Sequence, residues 1–422
     1  MNQTPQHPER LVLQLVPDPN PWDDAAALPR PSRWLSTLLC LLVTLFALWP
    51  VLRLPETLTP VALILAVLTL AFFVRSVSCL VWGALLFGAG TFVGGVEGGT
   101  AALCYLLVLT VGAYLICTLR SRWLCLIPVI CYVAALVWTG DALLAVLPLL
   151  ALPAAGLLAY STMKNDGRVS ATVLSSGMLL LCGALGLAIV WYRQNGSISF
   201  DAIFAELDRV RDELIVTMQG HEYAELMQEY FGDYLSATGL DAKTLITVSV
   251  EQTFHLLPAL VILPVNLLCF AAQSCCTAAF RATGLSSLVT RTSQLFIMST
   301  PSALIFIVCG VAQLLFGAQQ TVATTVMLNL LLILFPAMLL VGVYKFLADV
   351  RHQRLPLMIG LCIAAALFAP LFLLVGLAVS GALTTLIRPL ITRMVLSGAM
   401  SSNDKDKNNR DDGHDNDNHP TH

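Results

Sequence analysis

The sequence predicts an all-α fold: a polytopic transmembrane helical bundle of about ten or eleven spans carrying an extracytoplasmic amphipathic helical insert. Three observations predict it. The chain of 422 residues is 57% hydrophobic and only 12% charged, with a mean hydropathy of +0.79, whereas a soluble domain carries roughly 25% charged residues. The missing charge is missing in blocks of about twenty residues, the length that crosses a bilayer core as a helix. One acidic stretch, Ser197 to Glu251, interrupts the apolar blocks.

In chain order, residues 1–33 form a polar, Pro-rich leader ("VPDPNPWDD") that is expected in the cytoplasm. The first apolar run starts at Trp34, so it reads as an uncleaved first span. About seven spans follow within 34–195, at roughly 34–52, 57–74, 77–95, 100–119, 123–139, 142–162 and 170–192. Residues 196–250 form the acidic insert. About four more spans fill 251–395, at roughly 253–278, 294–317, 321–344 and 356–386. The runs are continuously apolar without period-two alternation, which selects helices over a barrel. Residues 396–422 read as a disordered tail, whose stretch 401–422 lacks apolar side chains; His414, His419 and His422 among its aspartates are expected to solubilise rather than hold metal.

Lys and Arg in short loops set the orientation. One set of loops carries Arg30, Arg33, Arg75, Arg120, Arg122, Lys164, Arg168, Arg281, Arg291, Lys345, Arg351 and Arg354. The opposite set holds Glu97, Asp141 and the uncharged Gln319–Gln320. This alternation predicts a multi-pass membrane protein with its N-terminus in the cytoplasm and the acidic stretch outside. Eleven crossings would leave Arg388 and Arg393 outside, against the same rule, so the side of the tail stays open.

The insert has eleven acids, from Asp201 to Glu251, against Arg209, Arg211 and Lys243. Phe204, Leu207, Leu214, Ile215 and Met218 recur at helical spacing, and after Gly220 the pattern restarts with Tyr223, Leu226, Met227, Tyr230, Phe231 and Leu235. Two amphipathic helices are therefore expected. An acidic polar face is repelled by an anionic bilayer, so the apolar stripe is expected to pack on the outer ends of the spans as a lid.

Motifs for catalysis are wanting. His221-Glu222-Tyr223-Ala224-Glu225 opens like a zinc-protease helix, but Glu225 stands where the second imidazole is required. No Walker loop, nucleophile elbow or intramembrane aspartate pair is present, so no catalytic residues, metal or cofactor are expected. The 12 cysteines all lie in apolar segments, and the adjacent Cys275–Cys276 has no second pair at ligand spacing, which fits packing. The glycine series Gly83, Gly88, Gly90, Gly94, Gly95 and Gly98 fits close helix packing.

The candidate ligand-binding residues are Glu251, His255, Asn266, Gln273 and Asn329. Offsets of eleven and eighteen residues from His255 bring Asn266 and Gln273 onto its helical face, although Pro258 and Pro264 can shift the register. Polar side chains at membrane depth face a bundle interior or a cavity. A ligand-lined wall beneath the lid, with Glu251 at its mouth, and plain interhelical hydrogen bonding both fit the stripe. Asn329, one turn after Thr325, is a second such position.

The order of "LLPALVILPVNLL", "AFRATGLSSLVTR", "FIMSTPSALIFIVCG", "NLLLILFPAMLLVGVYKFLADVR" and "GLAVSGALTTLIRPLITR" resembles the YybS-like family of uncharacterised bacterial multi-pass membrane proteins. The resemblance covers about residues 60 to 395. Family members often place an Asp before the terminal Arg, where this chain has Ser380 and Thr384–Thr385. No activity is established for the family. Its distant similarity to substrate-binding subunits of energy-coupling-factor vitamin transporters implies a small-molecule ligand and carries no residue over. The sequence thus predicts a protein that binds or transports a small molecule. The alternative is a non-catalytic scaffold in envelope assembly or sporulation. Expected partners are the lipid bilayer, a small-molecule ligand and a partner membrane protein or ATPase, with no nucleic acid.

Overall fold

A computed structural model describes residues 32–52, 58–118, 126–163, 168–239, 241–284, 298–317, 321–352 and 369–387. The leader at 1–31, the tail and the first part of the expected span 356–386, up to residue 368, lie outside the described residues. Among those described the fold is helical throughout, without a strand. Among the described residues seven helices are long and apolar enough to cross a membrane, and Thr59–Val74, Leu126–Thr139 and Thr300–Phe316 are shorter apolar helices. The protein is an integral membrane protein by that measure.

The chain divides into two compact units, residues 1–247 with 261–295, and residues 248–260 with 296–422. In the first unit, α1 (Arg33–Leu52) buries Leu39, Cys40, Val43 and Phe46 at helical spacing. Next comes α2 (Thr59–Thr69), started by Pro60, whose missing N–H is no loss in a first turn. It widens into a π-helical turn at Leu70–Val74 and stops at Arg75, the one non-glycine with positive φ among the described residues (φ 52°). Such turns recur at functional sites.

Next, α3 (Val77–Thr118) is two helices joined at Gly94 and Gly95, where the backbone leaves helical values and Gly95 takes φ 63°. A Cβ on Gly90 would sit 2.5 Å from the Gly98 carbonyl oxygen, so the two arms fold back with backbones touching. The expected spans 77–95 and 100–119 meet at this joint. The second arm is the centre of the unit: Leu106, Leu107, Val108, Leu109, Val111, Ala113, Tyr114 and Leu115 are all fully buried. A helix apolar on every side is stable only when other helices surround it. Here α1, α2, α5 (Leu152–Met163) and the later half of α10 (Leu257–Ala282) supply the cover. Tyr114 stacks edge-on against Phe73 (4.9 Å) and tilted against Phe280 (5.4 Å).

Between them, α4 (Leu126–Thr139) leads through Asp141 and a 3-10 stretch, Leu144–Ala151, into α5; α6 (Arg168–Asn195) then closes the apolar run. Asp141 accepts from the Leu143 N–H (2.9 Å) and pairs with Arg193 (2.7 Å). This pair neutralises an arginine at the end of α6 remote from Arg168.

The insert forms α7 (Phe200–Met218), α8 (His221–Thr238) and α9 (Ala242–His255). Gly239, in the left-handed region at φ 67°, ends α8, as a helix stop commonly requires. In the second unit α11 (Thr300–Phe316) is capped by Ser299, whose hydroxyl accepts from the Ser302 N–H (3.3 Å). It packs with α12 (Val322–His352), Phe306 facing Phe335 at 6.5 Å. The last described helix, α13 (Pro370–Ile387), crosses α12 where Gly342 meets the Leu377 carbonyl and Gly381 meets that of Met338, an approach only glycine permits.

Candidate functional site

The expected span 253–278 is interrupted. α9 ends at His255 and α10 begins at Leu257. Pro258 explains the break, since it offers no N–H to Phe254 and disfavours helical backbone at Leu257. In an unbroken helix the Ala259 N–H would donate to the His255 carbonyl. Instead the Asn329 carboxamide stands between them. Its Oδ1 accepts from the Ala259 N–H (3.0 Å), and its Nδ2 donates to the His255 carbonyl (2.9 Å) and to the Thr325 carbonyl (3.0 Å). One buried amide from α12 thus replaces the missing rung and satisfies a donor and an acceptor that lipid would leave stranded.

Asn329 and His255 are therefore brought together, but through the His255 backbone and not its imidazole. The imidazole is exposed, as is Glu251 one turn earlier on the same side of α9. Asn266 is half-buried and Gln273 is buried, both beyond the break and in the first unit. The expected stripe is divided at Leu256: His255 ends α9, and Asn266 and Gln273 lie on α10. The Gln273 Oε1 is buried without a hydrogen-bond partner among the described residues.

The insert departs from the expected lid. α7 buries no residue, and Phe200, Phe204, Leu207, Val210 and Leu214 all stand exposed. Its two arginines are paired while the face stays net acidic: Arg211 reaches Asp208 (2.9 Å) and Asp212 (3.0 Å), and Arg209 pairs with Glu206 and Glu213. These pairs are solvent-exposed and add little to stability. The Arg209 guanidinium is held above its ordinary pKa, first by its hydrogen bond to Glu206. α7 is tied at its C-terminal end, where the Gln219 Nε2 donates to Thr247 Oγ1 (2.9 Å). In α8 and α9, by contrast, Leu235, Ala242, Ile246 and Val250 are buried.

Two features escape sequence reading. The buried Cys275 thiol lies beside that of Cys79 on α3, a pairing 196 residues apart with no spacing signal. Arg75, counted above only as a loop cation, takes a backbone conformation rare for its type and lies at the mouth of an apolar groove. The π-turn before it has no sequence signature in "LAFFVR". No family model, curated protein or solved structure matches the chain.

Proposed function

We propose that this protein binds or moves a small molecule across a bacterial cell membrane, as a non-enzymatic, transporter-subunit-like bundle of ten or eleven spans. The observation that carries this reading is the interrupted helix at Leu256, held open by Asn329. Broken helices whose backbone groups are re-satisfied from a neighbouring helix are how transporters build ligand sites at membrane depth. The exposed Glu251 and His255 lie on the turn leading into the break and supply a charge and a titratable imidazole beside it. The resemblance to the YybS-like family, the cytoplasmic N-terminus and the outward insert belong to this proposal. With no Walker loop in the chain, an ATP-driven cycle would draw on a partner ATPase.

Thermal denaturation in detergent against a broad panel of metabolites tests it. A compound that raises Tm in the wild type and loses that effect in Glu251→Gln and His255→Leu is the expected result. A panel that leaves Tm unmoved, with both variants active in cells, contradicts it. A second reading, a scaffold for envelope assembly or sporulation, is favoured by the wholly unburied α7. A membrane partner that co-purifies with the chain and is lost on deleting residues 197–243 would select the scaffold.

A further inference from the structure

We propose that the groove between α1, α2 and the end of α10 seats an anionic phospholipid, with its phosphate on Arg75 and an acyl chain along the apolar walls. The groove has a volume of about 420 Å³, within the usual range for small-molecule sites. Leu35, Leu38 and Leu42 line one wall and Leu65, Leu68 and Phe72 the other. Seven residues of α1 separate Leu35 from Leu42, so the walls run about 10 Å along the helices. At one end stand Arg75, Ala282 and Thr283, where the C-terminal ends of α2 and α10 meet the N-terminal end of α1. That end is the arginine-bearing one, which the loop charges assign to the cytoplasmic leaflet, where anionic lipids concentrate.

Arg75 is built for a phosphate. The π-turn and the left-handed backbone re-aim it, and its Nε donates to the Phe72 carbonyl (3.0 Å), which leaves the two terminal nitrogens for a ligand. The side chain is exposed and no carboxylate lies within ion-pair reach of it among the described residues. The Thr283 hydroxyl is already committed to the Ala279 carbonyl (2.9 Å). Among the described residues the groove therefore offers one cation, Arg75, and a mainly apolar surface, the complement of a charged headgroup on a hydrocarbon chain. Free phosphate would use the cation and leave the walls bare. The seat shares no residue with the interruption at Leu256.

The test is native mass spectrometry of the full chain released from vesicles of phosphatidylcholine and phosphatidylglycerol in equal parts. The wild type should retain phosphatidylglycerol over phosphatidylcholine by about fivefold. Arg75→Gln should bring that ratio to parity, and Arg75→Lys should keep part of it, since an ammonium retains the charge without the fork. Leu68→Trp, which fills the groove and leaves Arg75 in place, should lower retention of both lipids. This arm stands even if Arg75→Gln fails to fold. An unchanged ratio in Arg75→Gln, no preference in the wild type, or unchanged retention in Leu68→Trp overturns the proposal. Displacement of the bound lipid by inorganic phosphate alone overturns it too, since the site would then read only the headgroup.

Discussion

Asn329 and Gln273 are both buried amides in apolar helices, yet they stand in opposite situations. Asn329 closes three hydrogen bonds, two of them to backbone groups that Pro258 has orphaned. Gln273 leaves its Oε1 unmatched among the described residues. Removing the first strands a buried N–H and a carbonyl, and each such group costs about 1–3 kcal/mol. Asn329→Ala should therefore destabilise the chain by ~2–4 kcal/mol. Gln273→Leu should be neutral or stabilising by ~1 kcal/mol, because it deletes an unmet acceptor at similar volume. Unfolding in detergent by denaturant titration checks both, and a Gln273→Leu loss as large as that of Asn329→Ala would contradict the assignment. The polarity of these residues was legible in the sequence, because an amide in an apolar run must find a partner. Their roles were not, since the partners of Asn329 lie 70 and 74 residues away and its third bond is local.

At the level of elements, the insert separates into a part that packs and a part that does not. α8 and α9 bury Leu235, Ile246 and Val250, whereas α7 presents Phe204, Leu207 and Leu214 to its surroundings. Substitutions on an unburied stripe change stability by less than about 0.5 kcal/mol. Phe204→Ser with Leu207→Ser should thus leave Tm unchanged while weakening any association of α7 with a partner chain or the bilayer surface. A clear fall in Tm for the purified double variant would show that the stripe is covered. The sequence revealed both amphipathic helices through their spacing, and the span positions through the length a bilayer demands. It also carried the Gly94–Gly95 joint, as a glycine series between two apolar runs. It named Pro258 as a position that can shift the register, but not that α9 ends at His255 or that Asn329 fills the missing rung. It missed the idle stripe of α7 as well, because amphipathicity states that a face seeks cover and not whether cover exists.

For the whole molecule, the distribution of charge organises everything else. The arginine-bearing ends of α1, α2 and α10 converge on one groove, which is the arrangement expected if loop cations are held on a single side. Arg193, at the other end of α6, is matched by Asp141 and so adds no net charge there. The acids of α7 to α9 follow the exit of α6, so the proposed orientation would put them on the side away from Arg75. Every described cysteine is buried, so one new surface thiol, compared with the unsubstituted chain, can report this arrangement. Ser236→Cys, on the exposed side of α8, should react with a membrane-impermeant maleimide in intact cells as fully as after lysis. Labelling of that cysteine only after lysis would place the acidic helices in the cytoplasm and contradict the orientation on which the binding site at Leu256 and the lipid seat at Arg75 both depend.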